Sequence, residues 1–591
     1  MKRTGRVLAI LLALAMLLSV SAFAAWNGIG GAWDTHNGKV TTAPTDAAPT
    51  VAKIAMKNSG SGWDGIDNVP VMHTVGTTTY AYVLYDGHAA GARLAKINCN
   101  NAIANASSSD LYNNANVVLW DVPVSTKSGF QLSTPLLVEG NDAASEADDT
   151  LYIGLTTTTA LVEADASDSI WTVSGDCTVD GSKLKISSTG TYTMSTSDIT
   201  MLKNNSHRAA TGISIPAGAE MTITAKVNNT VALTKTFDSD DVIDDHFYLN
   251  DVFTSDGEKA VVAGDTNTLS FTFEVTALSG DAYIEYGSLF QTAASVMGFK
   301  DLTSAPAISD ATGIATPTHS VNLNDGGQLN TPITTDGTYI YFGTWQGNKA
   351  YYQWNPSTKK LARTTGNGFY WAGAAVIGSQ VYFGSDNGIL HWRSTSDFAK
   401  TGGTVTLPDS AGNVRSSIMV DGDYFYFTSQ GKYLWCYKAN ASGAPTHQWH
   451  TSLNAVSTST PTKVGNKIYV GYYNGFNKGG VTEVTESRSA SASSYVSKCD
   501  LIDGTEDVNY MPVQSSLVVL PNADSSAAAY VYFSSNSNVG AGYCFEVNGT
   551  TATEVWNTSA AGNGTYALGG MASDGGYMVF GNDYNYLYIV K

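Results

Sequence analysis

The sequence predicts an all-β protein assembled from repeated four-stranded sheets, and three observations carry that prediction. The first is a short phrase of the form aromatic–apolar–Tyr–apolar–small that returns eight times along the chain. It reads Tyr80-Ala81-Tyr82-Val83-Leu84, Leu151-Tyr152-Ile153-Gly154, Tyr339-Ile340-Tyr341-Phe342-Gly343 and Val381-Tyr382-Phe383-Gly384. It continues as Tyr424-Phe425-Tyr426-Phe427-Thr428, Ile468-Tyr469-Val470-Gly471, Tyr530-Val531-Tyr532-Phe533-Ser534 and Tyr577-Met578-Val579-Phe580-Gly581. Each copy reads as a buried strand. The second observation is spacing. Most steps between copies are a little over about 40 residues, the length of a four-stranded propeller blade. The third is composition: 58 Gly and 32 Tyr, with Ser, Thr and Asn throughout and no convincing long amphipathic helix. That is the make-up of a turn-dense β protein.

The elements follow in chain order. Lys2, Arg3 and Arg6 precede the uncharged apolar run from Val7 to Val20, and Ala22-Phe23-Ala24 offers small residues for cleavage. Residues 1–24 therefore read as a secretory signal peptide. The run is short for a membrane anchor, so the mature chain is expected to carry no membrane span. No Cys lies directly after the run, which argues against a lipid anchor. The expected location is secreted, extracellular or cell-surface, or periplasmic if the source has an outer membrane. Residues 25–67 form an N-terminal segment. Its strand-like stretch Thr50 to Met56 is expected to supply a fourth strand to the last sheet, which runs out after Tyr586-Leu587-Tyr588-Ile589-Val590. Such pairing would tie the two ends of the chain together and remove an exposed sheet edge.

Residues 68–159 carry the first two copies, and 293–591 carry the rest. The grammar within a copy is regular. A lead-in such as Thr134-Pro135, Thr331-Pro332, Ser416-Ser417, Thr460-Pro461 or Ser515-Ser516 opens it. A hairpin turn such as Asp336-Gly337 or Asp421-Gly422 follows, where Gly supplies the positive φ that a tight turn needs. The Tyr strand comes second, and the fourth strand often holds a Trp: Trp120, Trp449, Trp556. The step from Tyr152 to Tyr341 is far too long for one blade. Residues 160–292 fill it with short alternating strands and Gly-, Asn- and Asp-rich turns. They predict an antiparallel β-sandwich inserted between the second and third strands of the second blade.

The combination of Thr-Pro, Asp-Gly, Tyr-Ile-Tyr-Phe-Gly and a late Trp resembles the pyrroloquinoline-quinone-like (PQQ-like) propeller repeat. The resemblance covers 68–159 and 293–591 and is clearest from 329 to 480. It implies an eight-bladed propeller, with seven blades as the alternative because the first copy is the weakest. The family contains quinone-dependent dehydrogenases and non-enzymatic scaffolds. The dehydrogenases carry a vicinal Cys pair, a Ca²⁺ site and a catalytic Asp. This sequence has no adjacent cysteines, no segment that matches the other two, and no CxxCH for haem. The expectation is a non-enzymatic scaffold that needs no cofactor, with quinone catalysis a remote alternative. The inserted sandwich resembles jelly-roll modules, many of which bind carbohydrate.

Candidate sites are few. In the insert, Trp171 and Tyr248 are candidate sugar-stacking aromatics, with core packing as the competing reading. Asp240, Asp241, Asp244 and Asp245 form the densest carboxylate run and are candidate Ca²⁺ ligands. A solvated acidic loop competes with that reading. In the blades, Trp345, Trp371, Trp392, Arg393, Tyr472 and Tyr473 lie just after Tyr strands or at blade starts. Several could gather on one rim as a protein or glycan hot spot, or pack between blades. His447 and His450 should point to opposite faces of a strand and so not share an ion. The five cysteines are widely spaced, and four of them sit late in their blade and read as small buried residues, with a pair between neighbouring blades left open. A net charge of −19 argues against nucleic acid as a partner. The partners expected are a protein or glycan at the cell surface, with self-assembly into a filament or surface layer as the alternative.

Overall fold

The computed structural model describes residues 40–60, 65–201, 206–237, 245–254, 266–323, 327–345, 349–476, 478–488, 495–503, 511–521 and 528–591, with a strand pair at Ala25–Trp26 and Gly31–Ala32. The expected signal segment 1–24 lies outside them. Among the described residues the regular secondary structure is nearly all strand, and the strands form a propeller-like series of antiparallel sheets. Runs 71–123, 334–365, 375–406, 419–452, 462–503 and 518–557 each fold into a sheet of four consecutive strands, numbered here sheets 1, 3, 4, 5, 6 and 7. Sheet 2 takes Leu136–Val138, Thr150–Asp165, Ala282–Lys300 and His319–Leu323 in the same order. Sheet 8 takes three strands from the end of the chain and a fourth, Val51–Ala55, from its start. Val51 pairs with Val590 and Ala55 with Tyr586, and the Thr50 and Lys591 backbones exchange hydrogen bonds of 2.8 and 2.9 Å.

The repeated phrase is the second strand of every sheet. Its period of two divides its residues between two neighbours. Tyr341 packs toward sheet 4, while Ile340 and Phe342 pack toward sheet 2. Tyr426 packs toward sheet 6, while Phe425 and Phe427 pack toward sheet 4. The same division holds at Tyr82, Tyr152, Tyr382, Tyr469 and Tyr532. One apolar cluster thus joins each sheet to the next. A last cluster joins sheet 8 to sheet 1 through Ile54, Val579 and Ile589 against Ala81, Val83 and Ile97. The late Trp residues sit beside the Tyr of their own sheet, with ring centroids 6.1 Å apart for Tyr82–Trp120, 6.1 Å for Tyr426–Trp449 and 5.9 Å for Tyr532–Trp556.

The lead-ins meet one another. Ser133 Oγ donates to the Thr331 carbonyl at 2.7 Å, the Ser417 amide to Thr460 Oγ1 at 3.1 Å, and the Thr460 amide to Ser516 Oγ at 3.2 Å. The Ser/Thr grammar is a belt of hydroxyls that satisfies backbone groups where successive sheets converge. The glycine that ends several phrases has a steric cause. A Cβ on Gly384 would lie 2.1 Å from Val414, one on Gly471 2.5 Å from Val513, and one on Gly581 2.3 Å from Ile66. Each of those neighbours belongs to the lead-in of the next sheet, which crosses directly over the glycine.

The long strands Thr150–Asp165 and Ala282–Lys300 run unbroken through the expected boundaries at 160 and 292, paired from Asp165↔Tyr286 to Thr150↔Lys300. Beyond sheet 2, the second of them also pairs with Lys183–Ile186 and Ser206–Ile215. A separate five-stranded sheet, 172–174, 190–199, 267–277, 220–227 and 230–237 in spatial order, shares a core with this extension. Trp171, Tyr192, Met194, Phe271, Phe273 and Ile284 are in that core.

One expectation is corrected by the fold, and one open alternative is closed. His447 and His450 do not point apart. A β-bulge between the pairs Cys436↔Trp449 and Tyr437↔His447 inserts one residue, so both rings face the same way, with Nδ1 of His450 3.2 Å from Nε2 of His447. The five cysteines are all free, so the pair between neighbouring blades does not form.

Candidate functional site

In an antiparallel sheet, the connection after the second strand and the lead-in to the next sheet emerge at the same end. This places Trp345 and Asp386, which follow second strands, beside Tyr370, Trp371 and Arg415, which precede first strands. Their side chains form one cluster. Arg415 donates from Nε and Nη2 to the two carboxylate oxygens of Asp386, both at 2.8 Å. The Trp345 indole N–H donates to Asp386 Oδ2 at 3.0 Å. The guanidinium carbon lies 4.8 Å from the Tyr370 ring centroid and 5.4 Å from that of Trp345. Those two rings meet edge to face at 5.0 Å, and Tyr370 meets Trp371 at 4.7 Å.

The electrostatics favour a fixed cation. Burial lowers the affinity of Arg415 for its proton, but the bonds to Asp386 outweigh this and leave the group above its ordinary range. Burial pushes the Tyr370 hydroxyl upward, and Arg415 offsets part of that shift. The bidentate pair with Asp386 does not occupy Nη1 of Arg415, a planar donor flanked by aromatic faces. Such an arrangement suits a carbonyl or carboxylate acceptor with an apolar neighbour. Trp371 holds a backbone φ of 53°, which is costly for a bulky residue. It reaches the axis, where it borders a cavity with Asp67, Thr134, Pro332, Thr460 and Ser516. Further round the same end, Tyr473 accepts from Gln430 Nε2 at 3.3 Å, and Phe476, 54% exposed, meets Tyr566 edge to face at 5.5 Å.

The sequence candidates divide accordingly. Trp345, Trp371 and Tyr473 lie at this end. Trp392 and Arg393 lie within a strand of sheet 4 (Ile389–Ser394). Arg393 bonds Thr364 of sheet 3, and Trp392 packs toward sheet 5. Tyr472 is buried in sheet 6, its hydroxyl directed at the Ile502 carbonyl. Trp171 is a core residue at 6% exposure, edge to face with Phe271. Asp240, Asp241 and Asp244 lie outside the described residues, as do the side chains of Asp245 and Tyr248 in the strand Asp245–Thr254. Asp386 and Arg415 are additions that the sequence did not flag. Each looks like an ordinary turn residue until the fold brings them together across 29 positions.

Two other features bear on function. The axial cavity measures about 40 Å³, room for two or three water molecules, whereas cofactor pockets typically span ~300–1,000 Å³. On the outer face of the extended sheet, Glu163, Asp165, Asp168, Tyr286 and Phe290 border a cleft of about 600 Å³ whose floor is Ala210 and Ser288. The Tyr286 ring lies over Gly212, where a Cβ would come within 2.4 Å of it. In register, Tyr248 is the backbone partner of that same Gly212.

The fold defines a propeller-type repeat protein, with an aromatic–Arg–Asp cluster at one end. No protein-family model matches the chain. No curated protein matches it either. Among solved structures, BamB from Moraxella catarrhalis is similar at a TM-score of 0.34 and 9% identity, over 51% of this chain and 79% of that one. A chain in the crystal structure of the mitotic checkpoint complex is similar at 0.33 and 12%, over 51% and 83%. Likeness at these scores carries no functional inference. Among the described residues, no helix is long and apolar enough to cross a membrane.

Proposed function

We propose that this chain is an exported, non-enzymatic eight-bladed propeller of the PQQ-like type, carrying an inserted β-sandwich, that binds a protein partner at the cell surface. The blade count is supported by eight second strands and by packing that passes from each sheet to the next and from the last to the first. The ring is a rigid platform, because Val51–Ala55 closes its last sheet. The observation that carries the binding role is the Trp345–Tyr370–Trp371–Arg415–Asp386 cluster: aromatic anchors around a pinned guanidinium are the composition of an interface hot spot.

The test is site-specific photocrosslinking in the source cells. A photoreactive residue at Tyr473, on the rim, should yield a discrete covalent adduct that disappears in the Arg415→Ala background. One at Thr338, at the opposite end of sheet 3, should not. Adducts from Thr338 alone, or none from Tyr473, would remove the rim from the account. Adducts between copies of the chain, with arrays visible by electron microscopy, would move the reading to self-assembly.

Glycan recognition is the second reading, and its own observation is the outer cleft of the insert. Tyr286 offers a ring for a sugar face, and Glu163 and Asp165 offer acceptors for hydroxyls. Binding on a glycan panel that is lost in Tyr286→Ala and Glu163→Gln would support it. A panel without hits, or hits that both variants retain, would sink it.

A further inference from the structure

At the outer edge of sheet 5, away from the rim, the bulge described above turns His447 and His450 toward one another. Ring stacking and polar contacts orient them. The ring of His450 stacks on Trp435 at 4.6 Å and meets Tyr433 edge to face at 5.4 Å. Its Nε2 lies 3.0 Å from Asp409 Oδ2, a carboxylate on the connection that leads from sheet 4. Its Nδ1 lies 3.2 Å from Nε2 of His447. His447 packs edge to face on Tyr437 at 5.1 Å.

The tautomers follow from these partners. Asp409 accepts a proton-bearing nitrogen, so the neutral His450 ring carries its proton on Nε2 and a lone pair on Nδ1. That lone pair faces Nε2 of His447. With no ion, His447 must place its proton on Nε2 to fill the gap. If that proton moves to Nδ1, two imidazole lone pairs converge.

We infer that His447 and His450 form a two-imidazole site for a divalent transition-metal cation of the zinc or copper class, with Asp409 orienting His450 from its far nitrogen. The spacing suits this. Two metal–nitrogen bonds of about 2.0–2.1 Å that span the observed gap subtend roughly 100–105°, close to a tetrahedral angle. A carboxylate on the non-ligating nitrogen is the usual device for fixing the tautomer of a metal-bound histidine. Imidazole donors select zinc, copper or nickel over calcium or magnesium. Among the described residues, no three His, Cys, Asp or Glu side chains converge on one point. The remaining positions on the ion therefore fall to water. Both rings are at least partly exposed, so an ion can enter without opening the sheet.

The experiment uses the full-length mature protein and Cu²⁺ as probe, with titration calorimetry for affinity and electron paramagnetic resonance for ligation. The expected result is one site with nitrogen hyperfine structure, displaced by excess Zn²⁺. His447→Gln and His450→Gln should each weaken binding at least 10-fold. Asp409→Asn should weaken it about 10-fold, the lower end of the effect of removing an orienting carboxylate. Circular dichroism and melting temperature of each variant separate loss of ligation from loss of fold, and the exposed His447 is expected to be silent in both. Absence of a stoichiometric site, or binding that both histidine variants keep, would overturn the assignment.

Discussion

Tyr426 shows at the residue scale how one phrase can carry both packing and polar satisfaction. Its ring fills the cluster between sheets 5 and 6, and its hydroxyl donates to Glu486 Oε1 at 2.6 Å. Arg488 donates to that hydroxyl and to Glu486, and Lys463 and Arg488 both pair with Asp421. A buried Tyr hydroxyl needs a partner, and here it anchors an ion network across a sheet junction. Tyr426→Phe should leave Glu486 short of one donor in a buried site and cost about 1–3 kcal/mol, measured by urea unfolding. A cost near zero would mean that water replaces the hydroxyl. At the rim, Arg415→Lys should keep the charge but lose the bidentate fit to Asp386. It is expected to abolish the rim adduct while shifting the melting temperature little, which separates recognition from stability.

At the scale of elements, the hairpin connection 139–149 between the first two strands of sheet 2 folds back onto sheet 1. Glu146 pairs there with Lys96 and accepts from the Tyr82 hydroxyl. Glu139 and Asp149 flank His73, at 3.1 Å from Nδ1 and 3.2 Å from Nε2. Burial alone would lower the pKa of His73. The hydrogen bonds and charges of Asp149 and Glu139 outweigh it and raise the value to about 9. Because the folded value lies above the unfolded one, the stabilisation is fully present below about pH 6.5 and fades as pH rises through about 9. The shift corresponds to roughly 3 kcal/mol at most. Amide exchange in 139–149 is therefore expected to speed up between pH 6.5 and 9.5 beyond the intrinsic rate, and His73→Gln should remove that excess. A flat profile in the parent protein would contradict the linkage. The strand Val51–Ala55 makes a sharper prediction. Ile54 is fully buried between sheets 8 and 1. Ile54→Asp should cost at least ~3 kcal/mol, expose the edge of Tyr586–Val590 and promote aggregation. Light scattering and exchange at 586–590 would show it, and unchanged protection there would refute it.

For the whole molecule, the chain of clusters from sheet 1 round to sheet 8 is one continuous structure, while the core around Trp171, Phe271 and Phe273 stands apart. That core is built from residues 162–289 and meets the sheets of the series through the strands Thr150–Asp165 and Ala282–Lys300, so it is expected to unfold as a second cooperative unit. Calorimetry should resolve two transitions, and removal of a large side chain in the separate core, as in Phe271→Ala, should lower only one of them. A single transition that moves as a whole would mean that the continuous strands Thr150–Asp165 and Ala282–Lys300 couple the two into one unit.

What the sequence determined by itself is everything local and periodic. The second strands, the hairpin turns, the Ser/Thr lead-ins and the long step after Tyr152 are all visible in it, because a period of two and a positive-φ turn are properties of neighbouring residues. Tertiary structure decided what depends on distant chain segments meeting. Asp386 met Arg415 only when the end of one sheet reached the start of the next. Tyr472 and Tyr473 are adjacent and chemically alike, yet one is buried and the other faces the rim, because consecutive strand residues point to opposite sides. His447 and His450 converged because a single bulged residue reversed the alternation that local pattern alone would impose, and a bulge is set by pairing with another strand rather than by the residues on either side of it.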